Sequence, residues 1–591
     1  MIILQKLSQL IAFGKQTWSL TKPYFVSDEK WRARGLLVSI IVLNLALVYM
    51  AVLFNDWNKL FYDALQEKNA EVFWAQLGRF AWLAGVFIVI AVYKFYLTQL
   101  LEVRWRVWMT DHYLARWLSN RAFYQMELSR FVGTNKACGR LPDNPDQRIQ
   151  EDINQFTAYS ISLSMGLLNA LVTLASFVGI LWGLSGGFAF SVAGSEMNIP
   201  GFMVWMAVLY CLLGSVITHY VGRPQIALNF QQQRLEADFR HHMVRVREYS
   251  ESIALDRGEG VEHGQLKQRF GLVLGNYLSL IRAQKKLVWF TSFFGQAAVV
   301  FPFVVAAPRF FSGAIQLGEL MQISSAFGQV QGALSWFVDS YSSLASWRAT
   351  TDRLVSFEAS FQALKQADKA PIATESRALC VKNMHLELPD GTVLLDQTEL
   401  FAQPGDSIWL QGPSGAGKST IFRALAGIWP FASGAVQCPH DAMFIPQRPY
   451  FPNGSLRDAL AYPQSAALFS DAQLQVALQS ALLPALLERL DETAAWGQLL
   501  SGGEQQRLAM ARVFLKKPSW VFADEATSGL DENAESLIYQ TLLTQIQHAQ
   551  GAIISIAHRP NMAQFHKASW ILQEQPTGET ARFVVRSNTL T

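Results

Sequence analysis

The sequence predicts an α-helical membrane domain with six spans, followed by an α/β domain built around a phosphate-binding loop. Apolar stretches of membrane-spanning length recur before about residue 345, and a glycine-rich loop follows a short apolar run at 407–410. Only 16% of the residues are charged, well below the roughly 25% usual in soluble domains. At 591 residues the chain is too long for a single hydrophobic core, so two or more domains are expected. We expect a membrane domain at 1–355, a linker at 356–375 and a second domain at 376–591.

Six apolar stretches are long enough to cross a bilayer, which takes about 17–25 helical residues. They lie at 36–54, 80–101, 161–184, 202–221, 287–307 and 317–340. The segments before the first, between the second and third, and between the fourth and fifth are rich in Lys and Arg, whereas 185–201 contains neither. Because positive segments stay in the cytoplasm, the pattern predicts a multi-pass protein with both termini inside.

The two long basic segments predict helices that project past the membrane into the cytoplasm. Residues 105–126 and 231–261 are dense in charge and poor in Gly and Pro. Residues 1–20 are compatible with an amphipathic helix on the membrane surface and equally with an ordinary soluble helix.

A polar stripe marks the sixth apolar stretch. Gln322, Ser325 and Gln329 are spaced by three and four residues, which places them on one helix face. Polar groups that face lipid are costly, so the stripe predicts a solvated substrate path, and helix–helix packing through Gln and Ser is the alternative. Lys94, inside the second stretch, is a further candidate for the path, although it could also extend toward the cytoplasmic surface.

Charge and cysteine content exclude several classes of function. The net charge of +3 gives no general electrostatic support for a nucleic-acid partner. The four cysteines contain no C-x-x-C pair, which argues against a disulfide framework and against a zinc site.

The glycine-rich segment at 412–420 predicts a nucleotide site. It follows an apolar run and opens a helical segment, so its backbone N–H groups can wrap phosphates. Lys418 is expected to reach the β- and γ-phosphates, and the Ser419 hydroxyl to bind Mg²⁺. The loop consists of Gly412, Pro413, Ser414, Gly415, Ala416, Gly417, Lys418, Ser419 and Thr420.

Four polar residues after other apolar runs predict the catalytic groups. Asp524 is expected to hold Mg²⁺, and Glu525 to polarise the attacking water. His558 is a candidate contact to the γ-phosphate, and Gln447 a candidate ligand of both Mg²⁺ and the water. Each has an ordinary alternative: a helix-capping Asp-Glu pair, a structural His and a loop Gln.

The ordered set of these motifs resembles an ATP-binding cassette. It includes Leu-Ser-Gly-Gly-Glu-Gln-Gln-Arg at 500–507 and Ser-Gly-Leu-Asp at 528–531. The resemblance implies an ATPase that uses ATP and Mg²⁺ and is coupled to the movement of substances across a membrane. It further implies that two cassettes enclose two ATP molecules, so that Ser501, Gly502 and Gly503 contact the γ-phosphate bound by the other copy. Asp531 belongs to the same implied site.

With one cassette and six spans per chain, the resemblance implies a half-transporter with an exporter-type fold, working as a homodimer in the lipid bilayer. The segments Phe-Ile-Pro-Gln-Arg-Pro-Tyr at 444–450 and Asn-Pro-Asp-Gln-Arg-Ile at 144–149 are similar to the ABCD and SbmA/BacA-like groups, with YddA-type bacterial inner-membrane proteins nearest. One departure is Leu388, where many members of the family stack an aromatic ring on adenine.

The resemblance leaves the cargo and the direction open. The SbmA/BacA-like group implies uptake of peptides or bulky hydrophilic compounds, which the polar stripe favours. The ABCD group implies export or translocation of acyl or lipid-like substrates. An ATP-gated regulatory membrane protein without vectorial transport is the third hypothesis, and the intact Glu525 counts against it.

Overall fold

The computed structural model describes residues 2–129, 144–185, 189–192, 195–198, 200–367, 374–576 and 580–590. These residues form two compact units. The described residues up to 114 and from 144 to 356 make up the first unit, and those from 115 to 129 and from 357 onward make up the second. The domain boundaries expected from the sequence stay a prediction.

The described residues of the membrane half form helices and one short antiparallel strand pair. Its elements are α1 (Ile2–Val26), α2 (Lys30–Gln66), α3 (Ala70–Leu118), α4 (Ala122–Ser129), α5 (Pro145–Gln147), α6 (Ile153–Leu184), β1 (Ala189–Val192), β2 (Ser195–Asn198), α7 (Phe202–Glu248), α8 (Ser250–Leu255), α9 (Glu259–Phe311), α10 (Leu317–Asp339) and α11 (Tyr341–Ala367). α11 runs through the first part of the expected linker.

Five helical segments among the described residues are long and apolar enough to cross a membrane. They contain the first five predicted spans and lie at Lys30–Gln66, Ala70–Leu128, Pro145–Leu184, Phe202–Glu248 and Glu259–Phe311. α10 coincides with the sixth predicted stretch but is not among the five, because its polar stripe lowers its mean hydropathy. The multi-pass helical architecture is confirmed, and the count of six spans stays a prediction.

The two projecting segments are helical but not continuous. α3 ends at Leu118 and a 3₁₀ turn follows, in which Asn120 (φ 49°) and Arg121 (φ 58°) adopt left-handed conformations that an α-helix cannot contain. The second segment, 231–261, is divided among three helices. α7 ends at Glu248, α8 forms a separate short helix, and α9 begins at Glu259.

The core of the membrane unit lies where α6, α7 and α10 pack together. Phe177 and Leu181 of α6 and Met203 of α7 are fully buried there. From α10, Phe327 and Val330 enter the same cluster. The apolar face of α10 is therefore covered by helices of its own unit.

The start of α6 is fixed by a buried carboxylate. Asp152, 1% exposed, accepts hydrogen bonds from Arg148 one turn earlier and from Arg353 of α11. A buried charge is stable only when it is paired, so this contact ties α6 to α11. It also gives Arg148, part of the 144–149 motif, a structural role.

The cassette unit alternates strands and helices. After residue 373 its elements are β3 (Thr374–Glu375), β4 (Leu379–Glu387), β5 (Val393–Ala402), β6 (Ser407–Gln411), α12 (Lys418–Leu425), β7 (Ala432–Cys438), β8 (Met443–Ile445), β9 (Gly454–Ser455), α13 (Leu456–Ala461), α14 (Asp471–Ser480), β10 (Thr493–Ala494), α15 (Trp496–Leu499), α16 (Gly502–Lys516), β11 (Trp520–Asp524), α17 (Glu532–His548), β12 (Ala552–Ile556), β13 (Ala568–Glu574) and β14 (Phe583–Thr589).

A six-stranded sheet forms the centre of this unit, in the order β14-β13-β6-β12-β11-β8. All neighbouring pairs are parallel except β13 with β14. Every residue of β11 and β12 is buried, as expected of parallel strands covered on both faces. A second sheet, in the order β3-β7-β4-β5, packs in the same core cluster as the phosphate-loop helix α12.

Residues 115–129 belong to the cassette unit although they precede it by more than two hundred positions. Arg121 donates a hydrogen bond to the carbonyl of Gly427, at 2.7 Å, just past the end of α12. Arg116 forms an ion pair with Glu358 at 2.6 Å, and Leu128 packs against the cluster that contains α12. The second unit is thus assembled from two distant parts of the sequence.

Candidate functional site

Four neighbouring parallel strands bring the predicted catalytic groups together. The phosphate loop follows β6, Glu525 follows β11, His558 follows β12 and Gln447 follows β8. Since β6, β12, β11 and β8 are adjacent and parallel, their carboxyl ends meet at one edge of the sheet. Ligands of open α/β sheets bind at this edge.

The phosphate loop has a backbone that requires glycine. Gly412 (φ 152°) and Gly417 (φ 87°) lie at positive φ, and Gly417 is the N-cap of α12. A Cβ atom on Gly417 would lie 2.6 Å from Leu394 Cδ1, which is shorter than any normal contact. The loop thus leads into the N-terminus of α12, whose unpaired N–H groups favour anions.

Lys418 is held at the centre of this loop. Its side chain is 7% exposed, and Nζ donates to the carbonyls of Gly412 at 2.8 Å and Pro413 at 3.0 Å. Burial lowers the pKa of Lys418, while the carboxylates of Glu525 and Asp524 act in the opposite direction. The ammonium group is therefore positioned by the loop itself, close to two acidic groups.

Ser419 and Asp524 are neighbours in the structure, as their shared predicted role requires. The Ser419 side chain hydrogen-bonds the Asp524 carboxylate, and burial raises the pKa of Asp524. Among the described residues no group of three or more His, Cys, Asp or Glu side chains is arranged to hold a metal. A hydroxyl and one carboxylate suit Mg²⁺, which keeps waters and takes its remaining ligands from phosphates.

Glu525 is held between the other two predicted catalytic side chains. Gln447 Nε2 donates to Glu525 Oε2 at 2.7 Å, and His558 Nε2 lies 2.7 Å from Glu525 Oε1. The backbone N–H of Glu525 donates to the carbonyl of Ile556 at 3.0 Å. The carboxylate is thus held by the Gln447 and His558 side chains, and the Glu525 side chain remains 20% exposed.

The predicted second phosphate-contacting element is the N-terminus of α16. Ser501 is the N-cap and forms a capping box with Glu504, whose Oε2 accepts from Ser501 Oγ at 2.7 Å. These hydrogen bonds lower the pKa of Glu504. Ser501 and Gly502 are exposed, and within the described residues no hydrogen bond joins Ser501, Gly502 or Gly503 to the phosphate loop.

Sequence reasoning missed two residues that tie this site together. Gln506 of α16 is buried; its Nε2 donates to Ser528 Oγ at 3.1 Å, and its Oε1 accepts from the Gly529 N–H at 2.7 Å. Arg559, next to His558, pairs with the buried Glu535 at 3.0 Å. A Gln inside a helix and an Arg in a loop carry no local signal of such contacts.

Asp531, the predicted ATP contact, lies at the end of the loop that follows Glu525. Its side chain caps α17 by accepting from the backbone N–H of Ala534 at 2.9 Å. Its implied role at the nucleotide stays a prediction.

Replacing Gln506 with Leu is expected to lower ATP turnover roughly tenfold, because the loop after Glu525 loses about 1–2 kcal/mol of hydrogen bonding that positions it. The measurement is steady-state phosphate release by the purified protein. Gln540→Leu on the exposed face of α17 is the matched control and should leave turnover unchanged. Equal rates for the two variants would contradict a positioning role for Gln506.

The predicted substrate-path residues occupy different environments. Gln322 is buried, and its Nε2 donates to Asp56 of α2 at 3.3 Å, whereas Gln329 is exposed and Ser325 is half-buried. Lys94 is half-buried and donates to the side chain of Asn44 of α2. The stripe therefore contacts α2 at Gln322 and is exposed at Gln329.

Leu388, which stands where many members of the family have an aromatic residue, takes part in a backbone turn and in the core of the cassette. Leu388 closes a tight turn, with the Gly391 N–H donating to its carbonyl at 2.9 Å. Its side chain packs against the core cluster of the cassette. An aliphatic side chain in this position offers adenine no aromatic face.

Comparison with known proteins identifies the family. Residues 20–311 match the family described as ABC transporter transmembrane region 2, and residues 395–528 match the family described as ABC transporter. The inner membrane ABC transporter ATP-binding protein YddA of Escherichia coli K12 is 34% identical over 543 residues, which cover 92% of this chain and 94% of that protein. The chain belongs to the ABC transporter family.

The transporter resembles more distant proteins over its whole length. The lysosomal cobalamin transporter ABCD4 of Mus musculus is 26% identical over 598 residues, covering 94% of the transporter and 93% of that protein. A solved bacterial Atm1-family ABC exporter with ATP bound aligns with a TM-score of 0.68 at 18% identity, covering 95% and 96% of the two chains. The latter likeness shows the fold.

These findings confirm the half-transporter organisation, the ABCD and YddA-type group and the cassette. The transporter is a multi-pass membrane protein that binds ATP, and hydrolysis in its cassette is coupled to transport.

Proposed function

We propose that two identical copies of the transporter form the working unit and that it takes up peptides or bulky hydrophilic compounds through a bacterial inner membrane. The exposed N-terminus of α16 carries the first part of this proposal. Ser501 and Gly502 face away from the core of their own chain, and no hydrogen bond joins them to the described phosphate loop. A second copy would present the same element to that loop.

In this arrangement each nucleotide is bound by two chains. The loop N–H groups and Lys418 of one copy hold the phosphates, and the α16 N-terminus of the other copy faces the γ-phosphate, where helix N-termini favour negative charge. Ser419 and Asp524 would hold Mg²⁺, which neutralises phosphate charge when it is bound. Glu525 accepts a proton from the attacking water, and Gln447 and His558 orient its carboxylate.

The open face of α10 supports a hydrophilic cargo. Gln329, Gly332 and Asp339 are exposed along one side, while Ile323 and Phe327 on the other side are buried. A polar face at membrane depth is tolerated where it borders water or other protein. The name of the related ABCD4 indicates cobalamin, which is itself a bulky hydrophilic compound, as the cargo of that protein.

Cysteine labelling tests the path directly. In a background without native cysteines, Gln329→Cys is expected to react with a membrane-impermeant thiol reagent, at a rate that changes when ATP is added. Ile323→Cys, 1% exposed on the opposite face, is the matched control and should not react. If Gln329→Cys stayed unlabelled in every nucleotide state, the α10 face would not border a solvated path.

Transport measured in sealed membrane vesicles distinguishes uptake from export. In right-side-out vesicles loaded with ATP, uptake predicts accumulation of a labelled peptide or of cobalamin. Loss of preloaded compound from the same vesicles would instead establish export and contradict the uptake proposal.

A further inference from the structure

The membrane unit contains a cavity that its predicted transport path does not use. It has a volume of about 720 Å³ and lies between α1, α2, α3, α6 and α11. Its lining is mainly apolar, with Phe13, Trp18, Ile41, Leu101 and Trp347 among its residues. This volume falls within the roughly 300–1,000 Å³ range of sites that hold small organic molecules.

The position of the cavity along the helices is defined by the segments that line it. They are the beginning of α2, the latter part of α3, the beginning of α6 and the part of the chain after α10. The charge distribution predicts the cytoplasmic side for each of these segments. The cavity therefore lies at the level of the inner leaflet, where Trp side chains concentrate.

Two basic side chains line the mainly apolar cavity. Lys22 of α1 and Arg34 of α2 are both exposed, and Arg34 Nε donates to the carbonyl of Phe25 at 3.0 Å. Basic groups at the cytoplasmic surface attract the anionic head groups of that leaflet. The lining thus combines an apolar interior with positive charge.

Trp105 forms a fixed part of the cavity wall. It is 2% exposed and lines the cavity. Its ring stacks on Tyr24 at 5.8 Å and makes an edge contact with Phe156. The indole therefore contributes an apolar surface that is held in place by two other aromatic rings.

We propose that this cavity binds an anionic diacyl phospholipid of the inner leaflet, with an acyl chain in the apolar interior and the phosphate near Lys22 and Arg34. The surrounding membrane supplies such a molecule at high concentration. The apolar lining matches the acyl chain, and the two cations match the phosphate.

Lipid binding to the full-length transporter tests the proposal, measured by native mass spectrometry with added phosphatidylglycerol or phosphatidylcholine. We expect preferential binding of phosphatidylglycerol. Lys22→Gln should weaken it roughly fivefold, as expected for one basic group near an anionic head group. Lys15→Gln on the same helix, exposed and outside the cavity lining, is the matched control and should have no effect.

A further variant blocks the apolar part of the site. Gly14→Phe places a ring in the cavity lining, where a Cβ atom meets nothing within 4 Å, and should block both lipids. ATP turnover in each variant verifies that the protein is folded.

Two outcomes would overturn the proposal. They are equal binding of the two head groups by the parent and unchanged binding after Gly14→Phe. Displacement of phosphatidylglycerol by palmitoyl-coenzyme A at equal concentration would also overturn it, in favour of a free acyl thioester.

Discussion

Replacing Glu525 with Gln is expected to lower ATP turnover by roughly 10²–10⁴-fold while ATP binding persists. The substitution keeps the size of the side chain but removes the negative charge, which the proposed mechanism requires for accepting a proton from water. The hydrogen bonds that hold Lys418 in the phosphate loop persist, because its Nζ donates to the carbonyls of Gly412 and Pro413 and not to Glu525. Phosphate release and binding of a fluorescent ATP analogue, measured on one preparation, give the two quantities.

Glu532→Gln is the matched control for this prediction. Glu532 lies in the exposed first turn of α17, seven positions after Glu525, and should tolerate the change. Unchanged turnover in Glu525→Gln would show that another group activates the water. Loss of ATP binding would show that the carboxylate supports the fold of the site.

Mixing two inactive variants should restore ATP turnover if each nucleotide site is built from two chains. Lys418→Ala removes a phosphate contact, and Ser501→Arg places bulk and charge at the exposed start of α16, so each homodimer should be inactive. In a mixed dimer, the intact phosphate loop of the Ser501→Arg chain meets the intact α16 of the Lys418→Ala chain. One site is then complete.

The measurement is phosphate release after co-expression of the two variants with different affinity tags and purification on both. Ser501→Thr is the control, since Thr retains a capping hydroxyl and should leave turnover near that of the parent. Turnover in the doubly tagged dimer no higher than in either variant alone would argue against shared sites.

The common location of the candidate catalytic groups could be predicted because each follows a short apolar run. The run at 407–410 lies within β6 (Ser407–Gln411), and the run at 552–556 coincides with β12 (Ala552–Ile556). Fully buried parallel strands leave this signal, and their common edge then places Gln447, Glu525 and His558 within hydrogen-bond distance.

The contacts of Gln506 could not be predicted in the same way. Its partners Ser528 and Gly529 lie 22 and 23 positions later, and no periodicity in α16 distinguishes a Gln that bonds a distant loop from one on a surface. In α10 the same residues had two effects on prediction. The polar side chains suggested a substrate path, but they also lowered the mean hydropathy by which a membrane span is recognised. The local sequence pattern identifies helices and strands, whereas the candidate site depends on contacts between side chains that are distant in the sequence.

The contact of Arg121 with Gly427 also determines the order in which the protein can be completed during synthesis. Domains usually fold as they leave the ribosome, N-terminal first. Here the two partners are separated by 306 positions, so residues 115–129 emerge long before the rest of the unit to which they belong. The second unit therefore stays unfinished until most of the chain exists. A cassette produced alone from residue 376 would lack Arg121 and Leu128, and would expose the surface that these residues cover.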